Sequence, residues 1–429
     1  VTATSARRLP VVTPSKPPRW DFRKWGTLAD PIHKSHMSTL IGEYACTQQF
    51  KFDRIAELVH AARETCSGKT EMGTAVHETI ARALRNQAVR DSILAGKPAT
   101  SAERLTSVLE TEFARTVAGR EVRWYGKSEA QKALDEGVAM VTGLFADMHR
   151  YVAAVELVEA GFIVKMGELW LEGHTDLIYR PVEAPESLAF TDWKTGAQKP
   201  HQKRLDHGYE GGIYAHALAE GTFLPTTVLD AWRQAANEDR LADVPLDPWD
   251  VKAIGAAPTE RAAMHLSLRA VAKKRETEGV LVEGAVRFEK FPDVIRLTQL
   301  RDYIPYTKKG DKQVKRPEDL EYWSRVFGRE VKRDEKIKYE PGQYRGGAWL
   351  TVQRRADDVT RLERQLRSVV GWVRFGRFVE AVGEKCDRCP YSGPCLTSGF
   401  ELDGDEAKQM RDALRGVDLG ATDELSIDD

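Results

Sequence analysis

Apolar residues recur along this chain with two periods, and the switch between them lays out its elements. A spacing of three and four predicts helices over residues 53–64, with Ile55, Leu58, Val59 and Ala62 inward, and 73–84, where His77, Ile80, Ala81 and Leu84 share a face. It also predicts helices over 100–117 and 128–152, the latter opening on a Ser128/Gln131 capping box and carrying the stripe Leu134, Val138, Val141, Phe145, Met148 and Val152. Further helices are expected over 259–278 and over 359–373, where Leu362, Leu366, Val369, Val370 and Val373 point inward. Ser38 is suited to cap a short helix that buries Leu40, Ile41 and Tyr44. Alternation with period two predicts strands over 169–179 and 187–194, and strand-like runs over 279–291, 294–297 and 346–354. On the 187–194 strand, Leu188, Phe190, Asp192 and Lys194 take one face, and Ala189, Thr191 and Trp193 the other. Helices interleaved with strands predict an α/β fold with a mixed central sheet flanked by helices.

Composition divides the chain into segments. Residues 1–37 form an N-terminal arm; its first 36 residues hold five prolines and seven Lys/Arg against Asp21 and Asp30. It reads as a flexible leader that Trp20 and Trp25 partly pack, the alternative being a basic arm on a nucleic-acid backbone. Residues 38–225 are the expected core, and 226–340 an inserted, partly basic module. Within 308–345, twelve Lys/Arg face eight Asp/Glu, with Tyr322, Trp323, Phe327, Tyr339 and Tyr344 interleaved. That pattern suits either phosphate pairing with base stacking on a single strand or a solvated helical surface. Residues 341–400 complete the core and carry three cysteines; 401–429 are an acidic tail with ten Asp/Glu against Lys408, Arg411 and Arg415.

The 429 residues allow two or three domains, and a 41% hydrophobic share supports a sizeable core. A net charge of −1 selects no class of partner. No apolar run reaches the length of a membrane span and the first residues hold no signal-like apolar core, so a cytoplasmic protein without a membrane partner is expected. Three of the five cysteines cluster near the C-terminus, which there argues for metal or cluster ligation rather than disulfides.

The densest chemistry lies between Gly173 and Gly196. Asp192 and Lys194 share a strand face, and Asp176 reaches them from the neighbouring strand. Two carboxylates and an ammonium suit a divalent cation and a phosphate, and hard oxygen donors favour Mg²⁺ or Mn²⁺. The alternative is a surface hairpin with an ion pair. The pattern D-(x)n-D-x-K, with Gly173 three residues before Asp176, resembles the PD-(D/E)XK nuclease superfamily, without the Pro of its name. The G-x-x-x-H of Gly73 to His77 precedes these strands in the order seen in RecB-type nucleases; His77 is otherwise a core histidine. The resemblance implies His77, Asp176, Asp192 and the Trp193 carbonyl as metal ligands, with imidazole biasing the site towards Mn²⁺. Lys194 would orient or help deprotonate the attacking water. Of Glu156 and Glu159, Glu156 is the choice for a further acidic group on its position in the resemblance alone, the alternative being a surface glutamate at a helix end. Glu210 and Tyr214 stand four apart where the resemblance implies a substrate-contacting Gln-x-x-x-Tyr; Glu210 departs from it, and a carboxylate there repels phosphate unless it binds a cation or a base edge.

Cys386-x2-Cys389-x5-Cys395 gives three thiolates in ten residues; Cys46 supplies a fourth, and Cys66, read as a helix end, is structural. Such a set holds zinc or an iron–sulfur cluster and clasps the two ends of the chain. With the other motifs, their order resembles the iron–sulfur RecB-like exonucleases: the CRISPR-associated exonuclease of the fourth Cas family and the nuclease domain of AddB helicase subunits. The resemblance covers 38–220 and 345–396, while 226–340 departs from it. It implies a 4Fe–4S cluster on Cys46, Cys386, Cys389 and Cys395, an exonuclease acting on single-stranded or end-frayed DNA in phage or bacterial DNA processing, recombination or CRISPR adaptation, and a helicase or integrase partner. The alternative is a DNA-binding or scaffold protein without turnover, with a structural zinc or iron–sulfur site.

Overall fold

The computed structural model describes residues 22–41, 46, 49–50, 65–97, 102–118, 120–124, 129–196, 208–225, 260–281, 284–352 and 356–375. Its strands are β1 (Ile32–His33), β2 (Thr65–Ser67), β3 (Glu121–Arg123), β4 (Val152–Met166), β5 (Leu169–Pro181), β6 (Ala189–Lys194), β7 (Thr222–Leu224), β8 (Val294–Gln299), β9 (Gly310–Gln313), β10 (Lys336–Tyr339) and β11 (Trp349–Thr351). Its helices are α1 (Met37–Leu40), α2 (Gly68–Arg85), α3 (Gln87–Leu94), α4 (Ala102–Thr116), α5 (Glu129–Asp147), α6 (Tyr209–Glu220), α7 (Glu260–Glu278), α8 (Pro317–Phe327) and α9 (Ala356–Arg374).

The central sheet runs β11-β8-β6-β5-β4-β7, with β1 alongside the first half of β5. The β6–β8 and β1–β5 pairs are parallel and the rest antiparallel, so the sheet is mixed, as the alternating pattern predicts. Each face carries its own core. On one, Leu188 and Phe190 pack with Ile213 and Tyr214 of α6 and with Leu362 and Leu366 of α9. On the other, Ala189 and Trp193 pack with Val76 and Ile80 of α2 and Leu144 of α5. The period-two face split expected for residues 187–194 therefore separates the two layers. Each large aliphatic or aromatic side chain buried here contributes roughly 1.5–3 kcal/mol against leaving it in water.

Several elements differ from the sequence expectation. The helix expected to run to residue 152 ends at Asp147; a 3₁₀ turn follows and Val152 opens β4. Cys66 lies in β2, ahead of α2, not at a helix end. Among the described residues of the 279–291 run no strand forms, and they contribute a single bridge, Val286 to Phe223. From residue 22 the arm is packed: Trp25 is fully buried against Phe50 at 4.6 Å, and Arg374 Nε donates to its carbonyl oxygen at 2.8 Å. The helix expected over 53–64, Trp20, Tyr44, Ser128 of the capping box, residues 197–207, Cys386, Cys389, Cys395 and the acidic tail lie outside the described residues. Gln131 donates to Asp135 at 2.9 Å.

The expected insertion also divides differently. β8 sits inside the central sheet between β6 and β11, and Leu268 and Ala272 of α7 pack against Ile163 and Leu224. What stands apart is the β9–β10 ribbon with α8, built around Val314, Tyr322, Trp323, Val331 and Ile337. Pro317 opens α8 and Gly328, at φ +62°, closes it, the usual residues for those positions. The aromatics that suited either base stacking or a solvated helical surface serve this lobe instead. Tyr322 and Trp323 are buried, Tyr339 stacks on Tyr306 at 3.6 Å, and Tyr344 meets Tyr303 at 5.6 Å; only Phe327, stacked on Trp323, is exposed.

Candidate active site

The site forms where the β5–β6 ladder stops. Its pairs run from Tyr179↔Ala189 to Leu177↔Thr191 and go no further. One residue on, the Asp176 side chain takes over: its Oδ2 accepts the Trp193 N–H at 2.5 Å, so the backbone donor freed by the parting strands is satisfied by a carboxylate. On the other side of β5, Glu159 lies between the pairs Val158↔Leu177 and Ala160↔Thr175, directly across from Asp176. Its φ is +48°, a left-handed conformation that costs a residue with a side chain on the order of 1–3 kcal/mol. The consequence is visible in the packing. Val158 belongs to the core beneath α2 and Ala160 to the core on the opposite face, whereas a regular strand would place both on one face.

Helix α2 brings the third group. His77 Nδ1 lies 3.3 Å from Asp176 Oδ1 and 4.0 Å from Glu159 Oε1, with its ring edge-on to Trp193 at 5.7 Å. One turn earlier, Gly73 faces Thr195: a Cβ there would stand 2.6 Å from Thr195 Oγ1, so this glycine permits the close approach of helix to strand end. Donor atoms of His77, Glu159 and Asp176 all fall within 4.8 Å of one another. Burial disfavours a charged imidazole, but Asp176, by charge and hydrogen bond, and then Glu159 and Asp192 outweigh it and raise the His77 pKa from 6.5 to about 9. One nitrogen and two carboxylates are the donor set of a divalent metal site, and they would displace that proton to bind one.

Asp192 anchors a different arrangement. Its Oδ2 is 2.5 Å from Lys194 Nζ, while its Oδ1 accepts from Tyr214 Oη at 2.7 Å and from Lys34 Nζ at 3.1 Å. Lys194 also reaches Glu210 Oε2 at 3.0 Å, so α6 contributes both a carboxylate and a phenol. Burial alone would raise the Asp192 pKa, but Lys194 and Lys34 hold it well below the carboxylate range. Burial would lower that of Lys194, but Asp192 and Glu210 hold it well above the ordinary lysine value. Lys194 is thus a persistent ammonium, suited to offsetting negative charge and unsuited to the proton-accepting half of the role expected for it.

Both arrangements open into one cavity of about 730 Å³, lined in part by the first turns of α2 and α5 through Lys69, Thr70, Glu129 and Lys132. His77, Asp176, Asp192, Trp193, Lys194 and Glu210 all line it, with Tyr214 behind Asp192. The structure groups His77 with Asp176 and Glu159, and sets Asp192 among lysines. Glu156 is a correction: its carboxylate accepts from Arg180 Nε at 2.5 Å, and Glu159 is the acid at the site. A signal for this existed. The β4–β5 hairpin turns on Gly167, at φ +59°, with Met166 opposite Leu169, and counting from that turn sets residue 159 across from 176. Lys34, from the arm, carried no comparable signal. Cys46 is half-buried and Cys66 buried, neither in a disulfide.

No described helix is long and apolar enough to cross a membrane. A family model for the PD-(D/E)XK nuclease superfamily matches residues 38–396, and no curated protein matches the chain. The chain belongs to the PD-(D/E)XK nuclease superfamily.

Proposed function

We propose that this superfamily member is a metal-dependent exonuclease that hydrolyses phosphodiester bonds of single-stranded DNA or frayed DNA ends. The observation that carries the reading is the convergence of His77, Glu159 and Asp176 within 4.8 Å, in the same cavity as the Asp192–Lys194 pair. His77, Glu159 and Asp176 would hold Mg²⁺ or Mn²⁺, with Asp192 and the Trp193 carbonyl as neighbouring donors. Such an ion, when bound, polarises a phosphoryl oxygen and lowers the pKa of water. The chain's own part is electrostatic and positional. Lys194 offsets the charge that builds on the phosphorus-bound oxygens, Asp176 fixes the Trp193 backbone, and Tyr214 fixes Asp192 against the lysines. DNA is the partner this chemistry serves, with a helicase or integrase as a protein partner. The order of Cys46, Cys386, Cys389 and Cys395 supports a 4Fe–4S cluster that clasps the chain ends.

End-labelled single-stranded and duplex DNA, incubated with the full chain and Mn²⁺ beside Asp176→Ala, tests the reading. Stepwise release of short products by the wild type alone is expected. Cleavage by both proteins would remove the assignment, and binding without cleavage across divalent metals would favour a DNA-binding protein without turnover. A brown chromophore lost in Cys389→Ala is expected for the cluster, and a colourless zinc-loaded protein prepared without oxygen would overturn it.

A further inference from the structure

Lys34 lies outside every motif that marks the site, yet three features of the fold are shaped to deliver it. β1 pairs in parallel with β5, setting Ile32 against Leu171 and His33 against Glu172, so that the next residue arrives beside Gly173. Gly173 makes room: a Cβ there would fall 2.9 Å from Lys34 Cβ and 2.8 Å from Phe162 Cζ. The ammonium then stands 4.4 Å above the Tyr214 ring, hydrogen-bonds the Tyr214 hydroxyl and lies 3.1 Å from Asp192 Oδ1. Its side chain keeps 20% of its surface exposed and lines the cavity, so it is held without being sealed in.

The charge balance gives this placement a purpose. Lys194 serves two carboxylates, Asp192 and Glu210. A glutamine at position 210 would leave the Lys194 charge answered once; the glutamate found there answers it a second time. With Lys194 as its single cation, a group containing Asp192 and Glu210 would carry net negative charge and repel a phosphate. Among the described residues, Lys34 brings the group to two carboxylates against two ammoniums.

Resting on the nuclease reading above, we propose that Lys34 is a catalytic residue of this site: it exchanges Asp192 and Tyr214 for a non-bridging oxygen of the scissile phosphate, supplying the positive charge that Glu210 withdraws from Lys194. The group recognised is a phosphodiester of a nucleic-acid strand, and Lys34 acts as a point charge on it.

The test compares wild type, Lys34→Gln, Lys34→Arg and the double variant Lys34→Gln/Glu210→Gln in two assays. In cleavage of labelled single-stranded DNA with Mn²⁺, Lys34→Gln is expected to be slower by about 10²-fold or more. Lys34→Arg should retain more activity, and the double variant should recover much of the loss because Lys194 is released. In binding of a short single strand without divalent metal, Lys34→Gln should lower the log–log salt slope by about 0.7, one phosphate contact, with the double variant restoring it. A purely structural lysine would not be rescued by removing a carboxylate from α6. Wild-type cleavage with unaffected Lys34 variants, or a loss that Glu210→Gln does not relieve in either assay, overturns the inference and leaves the nuclease reading standing. A wild type that cleaves nothing, together with the expected changes in salt slope, overturns the nuclease reading and sustains Lys34 as a phosphate contact.

Discussion

The two halves of the cavity use the same residue types to opposite effect. Around Asp176, two carboxylates and one imidazole converge, and together they hold a proton on His77 up to about pH 9. Around Asp192, every carboxylate is matched by an ammonium within 3.1 Å. The first half offers one nitrogen and two carboxylates to a cation. The second is complete as it stands and can accept an anion only by giving up one of its internal contacts. A site that held both a metal and a phosphate would use this asymmetry, the carboxylates of the first half for the cation and the ammoniums of the second for the anion.

The variants that break this contrast most severely are those that remove a donor from the half that holds His77, Glu159 and Asp176. Asp176→Ala deletes a carboxylate and also strands the buried Trp193 N–H. Cleavage should fall by more than about 10³-fold in single-turnover assays, with metal affinity in calorimetry falling alongside it. Next comes Glu159→Gln, which keeps the shape of the strand but removes one charge. Activity should fall by about 10²-fold, partly restored by raising the metal concentration, whereas Glu156→Gln, whose partner is Arg180, should stay near the wild-type rate.

Titration sharpens the contrast at smaller amplitude. The His77 pKa is raised from 6.5 to about 9, so in the metal-free protein its stabilisation is fully present below pH 6.5 and is lost as pH rises through about 9. Metal binding must displace that proton. Affinity should therefore climb with pH up to about 9, with close to one proton released per ion near neutrality, measurable by calorimetry in buffers of different ionisation enthalpy. The Asp192 half should show no such dependence in this range, because its carboxyl pKa lies far below neutrality and its lysine pKa far above. The gentlest perturbation is Gly73→Ala. Its Cβ would press on Thr195 Oγ1 at 2.6 Å and push α2 from the strand ends, weakening metal binding by about tenfold with little change in melting temperature.

How much of this was legible in the sequence depended on whether function was written in local pattern or in register. Residues 187–194 were readable in full: period two assigned both faces, and the structure places Phe190 and Trp193 in opposite cores. His77 was readable as facing the same way as Ile80 and Leu84 because helical periodicity survives intact through α2. β4 was not readable. Register shifts near its start and the left-handed Glu159 break its alternation, so the pattern predicts no strand over 153–166, only Val152 falls in the predicted helix, and Glu156 rather than Glu159 is chosen as the further acid. Lys34 was hidden for another reason. Its segment is short, proline-flanked and basic, and it takes its place through a two-residue parallel pairing with β5 and the space left by Gly173. The aromatics of 308–345 show the converse, since composition cannot tell a stacking platform or a solvated surface from the interior of a small lobe.

The backbone angle at Glu159 sets stability and catalysis against each other at a single residue. Glycine occupies that angle without strain, so above about pH 9, where His77 no longer holds its proton, Glu159→Gly would relax β4 and stabilise the metal-free protein by up to about 1 kcal/mol of folding free energy, while deleting a donor. Any search that ranks variants of this chain by heat resistance alone would therefore drift towards sturdier molecules that have lost their chemistry.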